Sequence, residues 1–203
     1  MNTKRNILLG ILFLTISFCA FSAGIKAVEA KTKILKKAII KDINKDTKVI
    51  KAIKEGDTYT IYASSAKYRK GATSSNSMKF STIKEGDVIT VEGSFDGKKV
   101  TATKIRDLSY YDKKTVTFYG TIDSTNATTS TLKINTIDRD DQAVSILSST
   151  KIKNENGKKI KLADLKEDDR VLVKGKWSRK KNTITKTQTI DILNDDDYSD
   201  LDD

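Results

Sequence analysis

The residues best placed to do chemistry in this sequence are the acids of a repeated turn. The stretch "IKEGDVITVEG" at residues 83–93 returns as "LKEDDRVLVKG" at residues 165–175, with five of the eleven positions identical. The carboxylates that could ligate a divalent cation there are Glu85, Asp87, Glu167, Asp168 and Asp169. Calcium takes about six to eight oxygen ligands from a loop of alternating donors, whereas this turn offers two or three and then becomes strand-like. The pattern therefore favours a structural turn over a metal site.

Other catalytic chemistry has little support in the composition. The sequence has no histidine, and its one cysteine is Cys19, so the residues after position 30 can form no disulfide, thiolate metal site or imidazole catalyst. Serine, threonine and lysine are plentiful, but no spacing singles out a nucleophile beside a base, and no glycine-rich phosphate loop is present. We expect a protein that is not an enzyme and needs no cofactor. A hydrolase that uses paired carboxylates is the least favoured alternative.

Lysine-rich turns are the best binding candidates. The turns "DGKK" (96–99), "NGKK" (156–159) and "SRKK" (178–181) read as hairpin tips with basic side chains, and a tryptophan directly precedes the last of them. The candidate binding residues are Lys98, Lys99, Lys158, Lys159, Trp177, Arg179, Lys180 and Lys181. The alternative is that these lysines only keep the turns solvated and that the tryptophan caps the end of a barrel.

The charge balance favours an anionic partner. The formal net charge is +11, although the segment "DDDYSDLDD" at residues 195–203 contains six aspartates and no basic residue. The rest of the chain is therefore more basic than the total indicates. Basic surfaces attract polyanions through counterion release and long-range steering. The alternative is that the basic surface serves only to keep the protein soluble.

The first thirty residues have the layout of a secretory signal peptide. Two basic residues precede an apolar run over residues 7–25, and "AVEA" supplies the small residues that a signal peptidase accepts before Lys31. We expect export to the cell envelope or the medium, where the available polyanions are envelope polymers and extracellular nucleic acid. An uncleaved membrane anchor is the alternative, because the run is nearly long enough to span a bilayer. Lipid attachment at Cys19 is disfavoured because the bulky Phe18 precedes it.

The repeated turn belongs to a longer internal repeat. The stretches "SSAKY" (64–68) and "SSTKI" (148–152) also correspond, and the two copies differ in length within a loop that is two residues longer in the first. Length differences of this kind belong to surface loops. We predict two copies of one domain, at residues 36–109 and 115–193, followed by a disordered acidic tail at residues 194–203.

Each copy reads as a series of short strands. Segments such as "TYTIYA" from Thr58 and "RVLVKGKW" from Arg170 alternate β-branched or aromatic residues with polar ones, and turn signals separate them. The pair Asp96-Gly97 favours a tight hairpin. Four or five strands in about 75 residues fit a small OB-type barrel, whose closure removes exposed edges. The predicted fold class is all-β, with two tandem small OB-like β-barrels.

The repeated turn has a structural explanation in such a barrel. Gly86 would take a left-handed conformation that Asp168 also tolerates in the second copy, and Asp87 would hydrogen-bond nearby backbone. Residues that would anchor the turn or point into the core are Ile83, Ile89, Val91, Leu165, Val171 and Val173. Gly93 and Gly175 would form a bulge or a bend at the end of the strand.

These motifs resemble those of a known family. The stretches "YGTID" (119–123), "SSTKIKNENGKKIKLADLKEDDRVLVKG" (148–175) and "NTITKTQTI" (182–190) are similar to the repeat of a family of secreted bacterial domains of unknown function. That repeat runs Gly-x-Ile, then Leu-Lys-x-Gly-Asp-x-Val-x-Val-x-Gly, then a closing Ile-x-Ala strand. Asp168 replaces the usual glycine, and Lys41 stands where the second copy has Gly120. The resemblance implies small OB-type barrels in tandem in an exported protein, and it implies no activity.

The sequence therefore predicts an exported, non-catalytic protein that binds an anionic polymer or another protein. Tyr110 and Tyr111, which lie between the copies, could stack between the barrels. The acidic tail could fold back on the basic surface and compete with a polyanion. A structural spacer or assembly component without a ligand is the main alternative.

Overall fold

Residues 32–201 are described by a computed structural model and form two β-barrels. The strands of the first barrel are β1 (Lys33–Asn44), β2 (Val49–Lys54), β3 (Asp57–Tyr62), β4 (Lys67–Lys70), β5 (Val88–Asp96) and β6 (Lys99–Asp107). Those of the second are β7 (Thr115–Asn126), β8 (Thr131–Asn135), β9 (Gln142–Ser145), β10 (Lys151–Lys153), β11 (Arg170–Ser178) and β12 (Thr183–Ile192). Single 3₁₀ turns lie at Phe80–Thr82, Leu162–Asp164, Arg179–Lys181 and Ser199–Leu201, and the short helix α1 is Asp195–Tyr198.

The predicted signal segment lies outside the described residues. Within residues 32–201, no helix has the length and apolar character needed to cross a membrane.

Both barrels have the strand order of an OB-type fold. In the first, antiparallel pairings join β3-β2-β1-β5-β6, and a parallel pairing of β3 with β6 closes the barrel. In the second, β9-β8-β7-β11-β12 are joined in the same way, and β9 pairs with β12 in parallel. The strands β4 and β10 add a short parallel pairing beside β6 and β12. The predicted all-β class with two tandem closed barrels is confirmed.

Each barrel has its own apolar core, and the alternating residues of the repeat supply it. Ile89 and Val91 are fully buried in the first core, and Val171 and Val173 occupy the second in the same way. This alternation reflects the period of two along a strand, which sends successive side chains to opposite faces. The prediction that these residues point inward is confirmed.

The repeated turn has the predicted geometry. Gly86 and Asp168 both have left-handed backbone angles, with φ of +75° and +66°. In the first turn Asp87 Oδ2 accepts a hydrogen bond from the Lys84 backbone N–H at 2.9 Å, and in the second Asp169 Oδ2 accepts one from Lys166 at 2.8 Å. Each aspartate thus satisfies a backbone donor that the turn exposes before the strand begins. The turn is structural in both copies.

Two glycines of the repeat lie where neighbouring strands approach closely. A Cβ at Gly93 would stand 2.2 Å from the carbonyl oxygen of Thr101, and one at Gly175 would stand 2.6 Å from a methyl carbon of Ile184. The strand register shifts beside both glycines, but the extra residues lie on the partner strands β6 and β12, so Gly93 and Gly175 face the bulges and do not form them, which corrects the prediction. Both glycines lie inside β5 and β11 rather than at strand ends, which corrects the predicted location.

The linker between the barrels is hydrogen-bonded on both sides. The Leu108 N–H donates to the Val88 carbonyl at 2.8 Å, and the Leu108 carbonyl accepts from the Thr117 N–H at 2.8 Å. The Ser109 hydroxyl accepts from the Val88 N–H at 2.9 Å and donates to the Thr117 carbonyl at 2.7 Å. The segment therefore connects β5 of the first barrel to β7 of the second as a bridging strand would.

An apolar cluster, which we call the junction cluster, fills the space between the barrels. It contains residues from both barrels, from the linker and from the C-terminal segment, and its members are Ile39, Ile53, Val88, Leu108, Tyr119, Leu172, Tyr198 and Leu201. All are buried. The removal of this apolar surface from water favours one fixed packing of the barrels.

The described part of the acidic C-terminal segment, residues 194–201, is structured, whereas the sequence predicts a disordered tail over residues 194–203. Asn194 caps α1 by accepting a hydrogen bond from the Asp196 N–H at 3.1 Å. Tyr198 is 3% exposed, and its hydroxyl accepts a hydrogen bond from the Glu55 N–H at 3.2 Å. The physical reason for the difference is that two apolar side chains among the aspartates complete the junction cluster.

The carboxylates of this segment contact cations of both barrels. Asp195 accepts a hydrogen bond from Arg170 at 2.9 Å, and Asp200 lies 3.7 Å from Lys41. The segment therefore lies across the barrel junction. The competition of this segment with a polyanion remains a prediction.

Replacement of Tyr198 by alanine should destabilise the protein by about 3 kcal/mol, since it removes a buried aromatic ring and a hydrogen bond. The matched control is Ser199→Ala at the neighbouring exposed position, which should change stability by less than about 0.5 kcal/mol. Urea unfolding followed by circular dichroism measures both free energies of unfolding. Equal stabilities of the two variants would mean that the segment is not packed in the junction.

Candidate functional site

The predicted binding lysines occupy three separate turns. Lys98 and Lys99 lie at the β5–β6 hairpin, whereas Lys180 and Lys181 lie at the equivalent β11–β12 hairpin of the other barrel. Lys158 and Lys159 follow β10. All six lysines are exposed, and Lys98 is already paired with Asp57 at 2.7 Å. The structure therefore does not gather them into one site.

Trp177 is a core residue, which corrects its prediction as a binding residue. Its side chain is 3% exposed and meets the Phe118 ring edge-on, with 5.3 Å between the ring centroids. The indole N–H donates a hydrogen bond to Gln142 Oε1 at 2.9 Å, which satisfies its one polar group. The strand parity of β11 sends this residue into the barrel, as it does Val171 and Val173.

Arg179, another predicted binding residue, contacts the linker. Its backbone N–H donates to Asp112 at 2.9 Å, and its Nη1 donates to the Tyr110 hydroxyl at 2.9 Å. The Tyr110 ring also lies 6.2 Å from the Trp177 ring. The Tyr110 ring therefore contacts side chains of both barrels, because Lys70 Nζ of the first barrel also lies 5.6 Å from its centroid.

A cationic surface that the sequence analysis missed lies on the outer face of the second barrel. Strand pairing places Lys174 beside Thr117 and Thr189, with Lys151 beyond Thr189. One row further along β11, Lys176 pairs with Thr115 and Thr185. Directly paired residues project from the same face of a sheet. We call this surface the lysine–threonine face, and its residues are Lys151, Lys174, Lys176, Thr115, Thr185 and Thr189, whereas the neighbouring Thr117 is 6% exposed.

Within the part of the chain that the structure describes, the lysines of this face have no carboxylate partner. None of the three makes an ion pair with any residue between 32 and 201. Asp191 pairs with Leu172, two residues before Lys174 on β11. It lies 3.8 Å from Lys37 of the first barrel. The face therefore carries an uncompensated positive charge.

In the first barrel, the position equivalent to Lys174 carries a charge that neighbouring side chains neutralise. In the aligned turns, Glu92 occupies the position of Lys174. Glu92 lies 2.5 Å from Lys104 and 4.0 Å from Arg106, so its charge is balanced within its own sheet. This sign change between two copies of one repeat is the sequence signal that could have located the face.

A cleft between the barrels adjoins the lysine–threonine face. It has a volume of about 390 Å³. Its lining includes residues 71–74 of the first barrel, Tyr111 and Lys114 of the linker, and Lys174 and Gln188 of the second barrel, and among residues 32–201 no carboxylate lines it. The cleft extends the same electrostatic character to the boundary of the two barrels.

A buried charge cluster also lies at the junction of the two barrels. Asp87, which makes the repeated turn, is 1% exposed. Its two carboxylate oxygens accept hydrogen bonds from Nε and Nη2 of Arg139, each at 2.6 Å. Arg139 belongs to the β8–β9 loop of the second barrel, so this bidentate pair crosses the junction. Bidentate arginine–carboxylate pairs are among the strongest and most directional of side-chain hydrogen bonds.

A second aspartate completes this cluster. Asp107 is fully buried, and its Oδ1 accepts hydrogen bonds from the backbone N–H groups of Ser109 and Tyr110 at 2.8 and 3.1 Å. Its Oδ2 lies 3.7 Å from Nη2 of Arg139. Burial, and then the negative charge of Asp87, raise the pKa of Asp107 well above its usual value. Burial also raises the pKa of Asp87, and Arg139 opposes that rise.

The paired aspartates lack the access that a catalytic pair needs. Both carboxylates are enclosed by the two barrels and hydrogen-bonded to groups of the protein. A glycosidase-type pair must face a sugar ring from an open site. Within residues 32–201, no group of three or more His, Cys, Asp or Glu side chains is arranged to hold a metal ion. The geometry of the acid cluster is that of a structural contact.

The tandem barrels correspond to one domain family. The model of that family, a domain of unknown function (DUF5666), matches residues 39–106 and 119–185. The two matches together cover more than half of the chain, and the chain belongs to this family, with two tandem copies. No curated protein matches the sequence.

Replacement of Arg139 by glutamine should cost about 3 to 5 kcal/mol, because it leaves Asp87 buried without its cation. The added change Asp87→Asn should restore part of this loss, since it removes the uncompensated charge. The control Lys133→Gln removes an exposed ion pair, 3.1 Å from Asp141, and should cost less than about 1 kcal/mol. Urea unfolding measures all four stabilities, and a loss no larger than that of the control would contradict the buried pair.

Asp107 should make the stability of the protein depend on pH in the acidic range. Its pKa is higher in the folded protein than in the unfolded chain, so the folded state holds the proton more tightly. This contribution is present below the unfolded pKa of about 4 and is lost as the pH rises through the folded value. Asp107→Asn keeps the acceptor for Ser109 and Tyr110 but cannot titrate.

The measurement is the difference in unfolding free energy between wild type and Asp107→Asn from about pH 4 to about pH 8. The wild type should lose stability relative to the variant as the pH rises. A difference that stays constant would show that Asp107 has the same pKa in both states. A difference that changes in the opposite direction would show a lowered pKa.

Proposed function

We propose that this protein is an exported, non-catalytic module that binds an anionic polymer through the lysine–threonine face. The observation that supports the proposal most directly is the absence of any carboxylate partner for Lys151, Lys174 and Lys176 within residues 32–201. The equivalent position of the first barrel carries Glu92, which is neutralised by its neighbours. The second copy of the repeat thus has a cationic surface that folding does not require.

The layout of the face suits a chain of repeated negative charges. Lys174 and Lys176 are two residues apart on β11, which separates their Cα atoms by about 7 Å. Lys174 and Lys151 are two strands apart, or about 10 Å. Thr189, which lies between Lys174 and Lys151 and is partly exposed, provides a hydroxyl donor for anionic oxygens. The adjoining cleft adds Lys114 and extends the surface.

The charge of the face and the expected destination of the protein point to the same class of ligand. The N-terminal segment reads as an export signal, and the polyanions outside a cell are envelope polymers and released nucleic acid. Ammonium groups bind such chains mainly by releasing their counterions, with little dependence on monomer identity. An anionic envelope polymer is therefore the expected partner.

A structural spacer is the second candidate, and the junction supports it. The junction cluster and the Asp87–Arg139 pair hold the two barrels in one arrangement. A rigid two-barrel unit of this kind could separate other components without binding a ligand.

The charge-reversing double change Lys174→Glu with Lys176→Glu should weaken binding at least tenfold and lower the salt slope by about two. The assay measures binding of the protein without residues 1–30 to teichoic acid, heparin and DNA over a series of salt concentrations. The matched control is Lys36→Glu with Lys67→Glu, which makes the same change in net charge on exposed positions of the first barrel. It should reduce binding much less.

A third variant tests the hairpin lysines that the sequence favours. The change Lys98→Glu with Lys99→Glu should behave like the control if the lysine–threonine face is the site. Equal losses in all three double variants would show that only net charge matters. Failure of the wild type to bind any polyanion at low salt would contradict the proposal and favour the spacer.

A further inference from the structure

We propose that the protein has a second, smaller anion site at Tyr110, which takes a phosphate-type oxyanion and bridges the two barrels. We call it the Tyr110 site, and it consists of Lys70, Lys79, Tyr110 and Arg179. It is separate from the lysine–threonine face and does not depend on the function proposed for that face.

Three cations converge on the ring of Tyr110. The Arg139 guanidinium carbon lies 4.9 Å from the ring centroid, that of Arg179 lies at 5.4 Å, and Lys70 Nζ lies at 5.6 Å. Lys70 ends β4 of the first barrel, whereas both arginines belong to the second. One aromatic ring is therefore the meeting point of positive charges from both barrels, at distances typical of cation–π contacts.

Only one of these cations is neutralised. Arg139 is paired with Asp87 at 2.6 Å. Lys70 and Arg179 form no ion pair with any side chain in the described part of the chain. Because both lie on the same ring, they are separated by no more than the sum of their distances, about 11 Å. Two cations beside one ring raise the local positive potential, which attracts an anion.

An open cleft gives an anion access to Lys70 and to the Tyr110 ring, against which Arg179 lies. It has a volume of about 350 Å³ and is lined by Lys70, Ser77, Met78, Lys79, Thr82 and Tyr110. Among residues 32–201, Lys79 contributes a third cation without an ion-pair partner, and no carboxylate lines the cleft. Ser77 adds a hydroxyl donor at its wall.

The donor set fits a phosphate group better than a monovalent anion. Lys70 and Lys79 line the cleft, Arg179 lies at the Tyr110 ring, and none of the three has an ion-pair partner within residues 32–201. A divalent oxyanion compensates such charges more fully than a monovalent anion does. A guanidinium presents a planar fork of N–H donors that matches two oxygens of a phosphate, whereas an ammonium acts as a compact point charge. The site therefore fits a phosphate group, whether that group is free in solution or part of a polymer.

A segment of the first barrel separates this site from the lysine–threonine face. Asn76 donates a hydrogen bond to the Tyr111 hydroxyl at 2.7 Å, and the Tyr111 ring covers Gly71. Residues 71–74 and Tyr111 line the cleft that adjoins the lysine–threonine face. The cleft beside Tyr110 is lined instead by Lys70 and residues 77–79, which precede and follow residues 71–76 in the sequence. Variants of the two sites can be tested independently.

The experiment is a calorimetric titration of the protein without residues 1–30 with inorganic phosphate, at constant ionic strength maintained with chloride. Emission of Trp177, the only tryptophan, is followed in parallel because its ring lies 6.2 Å from that of Tyr110. The wild type should give a saturable heat and a saturable emission change. The double variant Lys70→Gln with Lys79→Gln should weaken phosphate binding at least tenfold. Both side chains point to the cleft without a carboxylate partner, so folding should be unaffected.

Matched controls distinguish this site from others. Lys67→Gln, at an exposed position on the same strand as Lys70, and Lys174→Glu, on the lysine–threonine face, should bind phosphate as the wild type does. Short polyphosphate in place of phosphate identifies the source, since tighter binding per phosphate group indicates a polymer as the natural ligand. Absence of a saturable heat beyond that of chloride, or equal binding by the double variant, would overturn the Tyr110 site and leave the proposal for the lysine–threonine face standing.

Discussion

The compensation of one buried carboxylate is the constraint on which the arrangement of the two barrels depends. Asp87 is cut off from water where the barrels meet, and a buried carboxylate is tolerated only when a cation and hydrogen-bond donors surround it. Arg139 reaches it from a loop of the other barrel, so Asp87 is compensated only when the barrels occupy one relative position. Both clefts at the linker are formed by residues of both barrels or of the linker, and they exist because that position is held.

The local features of the fold could be predicted from the sequence, because local rules determine them. Alternation along β5 and β11 identified the inward valines, and the tolerance of aspartate for left-handed backbone explained Asp168. The long-range contacts could not be predicted in this way. Nothing in "DRDDQ" marks Arg139 as the partner of a turn in the other copy, and the many aspartates around Tyr198 suggested disorder although that ring is buried. Strand parity, applied to β11, would have placed Trp177 in the core and Lys174 outside.

The two copies of the repeat show how one structural element acquires different surroundings. Asp87 and Asp169 make the same hydrogen bond within their turns, but only the first also carries a contact between barrels. At the tenth position of the same motif, a neutralised Glu92 in one copy corresponds to an unpaired Lys174 in the other. Residues that are the same in both copies form the barrel fold. Residues that differ, above all where the charge changes sign, give each barrel its own contacts and surface charge.

The position of the C-terminal segment has a consequence for the order in which the molecule folds. The contact between Glu55 and Tyr198 joins residues that are 143 positions apart, whereas the strand pairings of each barrel join residues of the same repeat. Contacts of high sequence separation form late, since the loop they close must be ordered first. Each barrel can therefore form before the junction does. Until residues 198–201 arrive, Ile39 and Ile53 leave an apolar surface uncovered, and this intermediate is the form most exposed to aggregation or to capture by a chaperone.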